Sequence, residues 1–114
     1  MQPPSDNAEF SLTIRPRPLG QETIVMVSGE VDLTTADDLE RVVRQEMQRG
    51  PVFLDLREVA FIDSSGLRAL DGLARDSESG GLRIHPQLSP SVAQILELTG
   101  MMEILPLAEA DDPR

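Results

Sequence analysis

Apolar residues recur at a period of two, or in short continuous runs, in five segments that we predict to be strands. Residues 10–14 (FSLTI) alternate apolar and polar positions, which is typical of a half-buried edge strand. Residues 24–27 (IVMV) and 51–56 (PVFLDL) are continuous, as expected for strands covered on both faces. Shorter patterns predict strands at 82–85 and 104–107, with His85 as an exposed residue of the former.

Three other segments carry apolar stripes at helical spacing and predict amphipathic helices. The stripes are Ala36, Leu39, Val42, Val43 and Met47; Leu67, Leu70, Leu73 and Ala74; and Val92, Ile95 and Leu96. Thr35 and Asp38 fit a loose capping box before the first helix, and Ser89 and Pro90 fit the cap and first position of the third. A glycine follows the first and third stripes, where a helix end is expected.

The order of these elements predicts one α/β domain. Strands that alternate with helices imply a mainly parallel β-sheet with helices packed against it, here with an N-terminal edge strand. We expect a flexible tail at residues 1–9, the domain at 10–107 and an acidic C-terminal tail at 108–114. Loops at the carboxyl ends of parallel strands are where functional residues gather in such folds.

Composition narrows the function classes. The chain has 114 residues, no Cys, three Phe and a formal charge of −10, and all ten of its basic residues are Arg. The core must therefore be aliphatic, and phosphate loops or Schiff bases that need Lys cannot form. The acidic surface disfavours nucleic acid, and no apolar run approaches the roughly 18 residues needed to span a membrane. We expect a soluble, cytoplasmic protein without a cofactor or a metal site.

The stretch FIDSSGLRAL, at residues 61–70, raises the question of chemistry at a strand–helix junction. The simplest interpretation is that Asp63 or Ser64 caps the following helix. A catalytic Ser64 fits poorly, because Ile62 occupies a position where a nucleophile elbow needs Gly, and His85 would have to be its base. A phospho-aspartate receiver, suggested by Asp55 in a buried strand, is disfavoured by the missing Lys.

A further interpretation is that Ser64 accepts a phosphate from another protein. A helix N-terminus stabilises an anion through free backbone amides and the helix dipole. The added charge of about −1.5 to −2 would deepen a patch that is already negative from Asp63 and from Asp32 on the neighbouring loop. A partner that accepts the neutral serine would then be repelled.

Three motifs in order resemble a STAS domain of the anti-sigma factor antagonist kind, as in sporulation and stress-response partner switching. They are GEVDLTTA at residues 29–36, IDSSGL at 62–67 and SPSVAQILELTGM at 89–101. The resemblance covers about Phe10 to Leu105 and implies a regulatory binding protein that is not an enzyme. Other STAS proteins are scaffold subunits of stress-sensing or lipid-transport complexes, and that alternative stays open.

The resemblance also implies partners and site residues. The unphosphorylated protein would bind an anti-sigma factor that is also a serine protein kinase, and so release the sigma factor. The kinase would phosphorylate Ser64, and a metal-dependent PP2C-type phosphatase would restore it. Asp32 would lie beside the phosphorylated loop and help to bind the kinase, while Asp63 would position it. The other partner-binding residues would be Ser65, Gly66 and Leu67, and the free protein is expected to be a monomer.

Overall fold

Four strands form one mixed β-sheet, which is the framework of the fold. The structure is a computed structural model and describes residues 10–15, 22–77 and 81–109. In chain order the strands are β1 (Ser11–Arg15), β2 (Thr23–Val31), β3 (Val52–Ile62) and β4 (Leu82–Ile84). They lie side by side in this order, with β1 antiparallel to β2 and the other pairs parallel. The predicted mainly parallel sheet with an N-terminal edge strand is confirmed.

Helices follow each of the three parallel strands. They are α1 (Ala36–Arg49), α2 (Ser64–Asp76) and α3 (Pro90–Thr99), and a short 3₁₀ helix at Met101–Glu103 comes after α3. α1 packs against α2 and both contact the sheet, while α3 packs against β3 and the 3₁₀ helix. Within the described ranges, none of the helices combines the length and the hydropathy that a membrane span requires.

The core is aliphatic, as the composition predicts. Val25 and Val27 of β2 and Leu54 of β3 are fully buried. They lie on the face of the sheet that packs against the apolar stripes of the helices. Phe53 is also buried but lies on the opposite face, because neighbouring residues of a strand point to opposite sides. The Cζ of Arg83 lies 5.5 Å from the centroid of the Phe53 ring. The centroids of the Phe53 and His85 rings are 5.7 Å apart.

Both central strands continue beyond their apolar runs, to Val31 and Ile62. The parallel register shifts twice along this pair, and at one shift Gly29 has a φ of 94°, in the left-handed region that favours glycine. After the shift Val31 pairs with Ile62, and both are buried. The continuous apolar runs did not predict this extension, because polar and charged residues interrupt the apolar pattern in the outer halves of both strands.

The capping box predicted at Thr35 and Asp38 is wrong. Thr35 occupies the N-cap position of α1, but its side chain makes no capping hydrogen bond. Its hydroxyl donates to the backbone oxygen of Glu30 at 2.9 Å and accepts from the N–H of Asp32 at 2.9 Å. Asp38 instead forms an exposed ion pair with Arg41. Thr35 therefore stabilises the loop before the helix and not the helix itself.

The cap predicted for the third helix is confirmed. Ser89 Oγ accepts from the N–H of Val92 at 3.4 Å and donates to the Val59 oxygen at 2.7 Å, with Pro90 at the first helical position. Because one hydroxyl serves both groups, it fixes the start of α3 against β3. The third helix thus begins where the sequence indicates.

Two C-terminal expectations need correction. The strand predicted at 104–107 does not form: a turn follows the 3₁₀ helix at Met101–Glu103, and in this segment Leu107 makes one isolated bridge with Ile84. His85 is not exposed: only 6% of its surface is accessible, because its ring packs against Phe53. Ala108 is buried and donates its N–H to the Ile84 oxygen, so ordered contacts reach one residue into the segment assigned to the acidic tail. The tail predicted at residues 1–9 lies outside the described residues.

Candidate functional site

The two motif loops meet at the carboxyl edge of the sheet. Val31 and Ile62, the last residues of β2 and β3, pair in register. The N–H of Asp63 then donates to the Val31 oxygen at 3.1 Å, one residue beyond the ladder. Asp32 directly follows Val31, so the loop that carries Asp32 lies beside the junction that carries Ser64.

Asp63 is the residue that caps α2. Its Oδ1 accepts from the backbone N–H of Ser65 at 2.8 Å and of Gly66 at 3.1 Å, and its backbone oxygen accepts from Leu67 at 2.9 Å. The ambiguity between Asp63 and Ser64 as the cap is thereby resolved. The same hydrogen bonds correct one expectation from the sequence. The backbone amides at the start of α2, which were expected to be free for an anion, are largely occupied by the Asp63 carboxylate.

Ser64 is the first residue of α2, and its side chain points into solvent. The residue is exposed, and its hydroxyl makes no hydrogen bond with any residue in the described ranges. Since the preceding residue carries the cap, this hydroxyl has no structural role in that part of the chain. It is accessible to a modifying enzyme and is held on a rigid helix.

The remaining residues of the motif are less exposed. Ser65 is half-buried, Gly66 is buried, and Leu67 packs against the core. A Cβ on Gly66 would collide with Ile62 Cγ1 and would lie 2.8 Å from the Val31 oxygen. Gly66 therefore contributes close packing of α2 onto the strand ends, which sets the height of Ser64 above the sheet.

Asp32 is held by a threonine pair. Its Oδ1 accepts from the Thr34 hydroxyl at 2.8 Å, from the Thr34 N–H at 3.0 Å and from the Thr35 hydroxyl at 3.2 Å. These hydrogen bonds, first that from the Thr34 hydroxyl, lower the pKa of Asp32 below its ordinary value of 3.8. Asp32 is thus a fixed, half-exposed anion on the loop beside the Ser64 junction. The same hydrogen bonds to Thr34 and Thr35 also stabilise the turn before α1.

Two exposed apolar side chains, which the sequence analysis did not single out, lie next to the site residues along the chain. Leu33 is 77% exposed, directly after Asp32, and Phe61 is 42% exposed, two residues before Asp63. Leu33 borders a shallow cavity of about 110 Å³ between the start of α1 and α2, together with Ser65. The available signal was an isolated leucine within the polar loop DLTT. Exposed apolar side chains bordered by polar groups are found at protein-binding surfaces.

The structure does not bring Ser64 and His85 together. The N–H of His85 donates to the Leu54 oxygen at 2.8 Å. Ser64 instead lies just beyond Ile62, which is eight residues after Leu54 on β3. At about 3.3 Å per strand residue the two sites lie roughly 25 Å apart. His85 Nδ1 also accepts the N–H of Gln87 at 3.1 Å. A serine hydrolase that uses this pair is therefore contradicted.

A separate acidic site lies on the other side of the sheet. Asp55 is 5% exposed and pairs with Arg57 at 2.8 Å. Burial raises its pKa, but the hydrogen bonds from the Arg57 side chain and backbone outweigh burial, so the pKa of Asp55 lies below 3.8. Within the described ranges no three metal-ligating side chains come close enough to hold an ion. This site is an ion pair that supports the strand.

Comparisons with known proteins show the family to which this chain belongs. The family model of the STAS domain matches residues 10–111. The chain is 31% identical over 88 residues to the anti-sigma F factor antagonist of Paenibacillus polymyxa, covering 74% of this chain and 75% of that protein. It is 25% identical over 91 residues to the anti-sigma-B factor antagonist of Staphylococcus aureus, covering 77% and 84%.

A solved structure shows the same architecture. The crystal structure of an anti-sigma factor antagonist from Mycobacterium paratuberculosis aligns with a TM-score of 0.74 at 25% identity, over 87% of this chain and 85% of that one. The fold and the family match together place the chain in a class of single α/β domains with a mostly parallel sheet. It belongs to the STAS domain family, as the three motifs indicate.

Proposed function

We propose that this protein is an anti-sigma factor antagonist whose binding to an anti-sigma factor with serine kinase activity is switched off by phosphorylation of Ser64. The observation that supports this most is the exposed Ser64 hydroxyl, free of hydrogen bonds within the described ranges, on the first turn of a helix capped by its neighbour Asp63. The names of the relatives point to the same class of partner.

The proposed binding surface combines fixed charges with exposed apolar groups. Asp32 and Asp63 are held by short hydrogen bonds, so little side-chain entropy is lost when a partner contacts them. Leu33, directly after Asp32, and Phe61, three residues before Ser64, supply exposed apolar area. Such a surface suits a partner that presents basic side chains around an apolar contact.

Phosphorylation would disrupt this contact by charge. A phosphate brings about −1.5 to −2 charges at pH 7 into an interface that contains the carboxylates of Asp32 and Asp63. Burying it there would leave it poorly solvated and close to like charges, which we expect to weaken binding by about 1–3 kcal/mol. The unphosphorylated protein would therefore be the form that releases the sigma factor.

The phosphate must come from the partner. This sequence contains no Lys and so has no lysine-containing phosphate loop for ATP. The kinase would transfer the phosphoryl group from ATP to Ser64 Oγ, and a metal-dependent PP2C-type phosphatase would hydrolyse the ester to restore the serine. We expect the free protein to be a cytoplasmic monomer that exchanges between these two enzymes.

Incubation with the candidate kinase and ATP, followed by mass spectrometry of the modified peptide, tests the proposal. We expect one phosphate per chain on Ser64, no modification of Ser64→Ala, and normal modification of Ser65→Ala. Phosphate on another residue, or equal labelling of Ser64→Ala, would refute the assignment. A large complex in cell extract that is unaffected by phosphorylation would instead favour the scaffold function.

A further inference from the structure

Arg68 differs from most arginines that the structure describes, because its guanidinium has no carboxylate partner among the described residues. Six others each have a carboxylate oxygen within 4.0 Å: Arg41, Arg44, Arg49, Arg57, Arg75 and Arg83. Within the described ranges only Arg15, on the edge strand, shares this lack of an ion pair. Arg68 is exposed, and it lies on α2 near Ser64.

The spacing brings Arg68 within reach of a group attached to Ser64. The two residues are four positions apart in one continuous helix, Ser64–Asp76. Residues at this spacing face each other across one turn, with Cβ atoms about 5–6 Å apart. Arginine binds phosphate through two parallel N–H bonds, and its side chain is long enough to cross one turn.

The first turn of α2 leaves a phosphate with few other donors. Two of its amides, at Ser65 and Gly66, already bind the Asp63 carboxylate. A phosphate on Ser64 would have to displace this cap to use them, which would destabilise the start of the helix. A cationic side chain outside the turn is therefore the better partner.

The other charges around Ser64 are negative. Asp63 precedes it, Asp32 lies on the adjacent loop, and the acids of α1 that border the same shallow cavity as Arg68 are Asp37 and Glu40. Glu40 is already paired with Arg44 at 2.6 Å. These carboxylates repel a phosphate, so Arg68 is the cation toward which it would turn, and a dianion would attract Arg68 more strongly than the single charge of Asp37.

We propose that Arg68 is the counter-charge of the phosphorylated site: when Ser64 is modified, the guanidinium folds back by one turn and binds the phosphoryl oxygens. This inference rests on the proposed phosphorylation of Ser64 and extends it. Phosphorylation then changes the surface at two places, because it adds charge at Ser64 and also withdraws a free cation from the cavity between α1 and α2. The contact orders the phosphate without displacing the Asp63 cap.

The test measures the second pKa of the phosphoserine by ³¹P NMR titration at low salt. Phosphoserine is installed at position 64 of the full chain during translation, so that neither the kinase nor the partner is needed. Wild type is compared with Arg68→Gln, with Arg68→Lys, and with Arg75→Gln, which removes an exposed arginine at the far end of the same helix. Circular dichroism verifies that each variant is folded.

We expect the phosphate pKa to be about 0.3–1 unit lower in wild type than in Arg68→Gln, since a nearby cation favours the dianion. Arg68→Lys should retain a large part of this shift, and Arg75→Gln all of it. Equal phosphate pKa values in wild type and Arg68→Gln would overturn the inference. A failure of the kinase to modify Ser64 would refute the proposed function but would leave this titration unaffected, so the two failures are distinguishable.

Discussion

The N–H of Ser65 donates a 2.8 Å hydrogen bond to the Oδ1 of Asp63, across the residue that lies between them. The helix cap therefore belongs to Asp63, and Ser64 is left exposed and free of hydrogen bonds to the described residues. One residue holds the junction while the next is available for modification. We therefore expect the fold to tolerate a change of charge at the serine.

Replacement of Asp63 by Ala should destabilise the protein, whereas replacement of Ser64 by Ala should not. The first change removes two hydrogen bonds at the start of α2, worth about 1 kcal/mol together. The second removes an exposed hydroxyl and should stay within about 0.5 kcal/mol of wild type. Urea unfolding of both variants measures the difference. A loss for Ser64→Ala as large as that for Asp63→Ala would show that the serine hydroxyl has a structural role.

Gly66→Ala should be among the most destabilising small changes in the chain. Its Cβ would lie 2.8 Å from the Val31 oxygen, a backbone atom that cannot move without breaking the strand pairing. We expect a loss of about 2 kcal/mol or more in the free energy of unfolding.

Gly72→Ala is the matched control on the same helix. There the new Cβ meets only the mobile ends of Arg44 and Glu40, at 3.2 Å each. The helix preference for Ala offsets that contact, so the change should be between neutral and about 1 kcal/mol stabilising. A similar loss in both variants would mean that the close packing at Gly66 is not the cause.

Because Asp55 pairs with Arg57, we expect the folded protein to lose stability in acid. The pKa of Asp55 is below 3.8 in the folded protein, so near this pH the unfolded chain binds more protons. The stability that Asp55 contributes is fully present above about pH 5 and is lost as the pH falls through the folded pKa. Unfolding midpoints between pH 7 and pH 3 should therefore decrease less steeply in Asp55→Asn.

Arg57→Gln provides the complementary test. Without the Arg57 side chain, burial remains and raises the pKa of Asp55, so that the contribution of this carboxyl group to the acid dependence should shrink or change sign. An unchanged slope in both variants would contradict the assignment of the ion pair.

Leu33 should contribute to partner binding without contributing to stability. Its side chain is 77% exposed beside Asp32, and we expect Leu33→Ala to weaken binding to the anti-sigma factor by about 1–2 kcal/mol. Leu98, on α3, is 79% exposed and is the matched control. Calorimetric titration should show normal affinity for Leu98→Ala. Equal losses in the two variants would mean that Leu33 does not lie in a specific interface.

Local patterns predicted most of the fold. The alternation at residues 10–14 identified the edge strand, and the aliphatic runs at 24–27 and 51–56 identified the two central strands. Ser89 and Pro90 fixed the start of α3, because a cap and a proline act within a few residues. The proximity of Ser64 to the loop that carries Asp32 could also be predicted, because loops that follow paired parallel strands share one edge of the sheet.

Individual side-chain contacts, both local and long-range, decided what the patterns could not. Thr35 looks like a helix cap, but a backbone oxygen at Glu30 and the carboxylate of Asp32 compete for its hydroxyl. His85 continues an alternation toward solvent, yet the ring of Phe53 on the neighbouring strand buries it. The occupation of the α2 amides by Asp63 likewise depends on a side-chain rotamer, which a sequence motif does not specify.

The most direct test is the affinity of the anti-sigma factor for this protein with and without a phosphate on Ser64, measured by calorimetry with homogeneous preparations. The account predicts tight binding of the unmodified protein, weaker binding of Ser64→Asp, and a dissociation constant at least about tenfold higher for the phosphoprotein, equivalent to 1.4 kcal/mol or more. Equal dissociation constants for the unmodified and phosphorylated forms would contradict it.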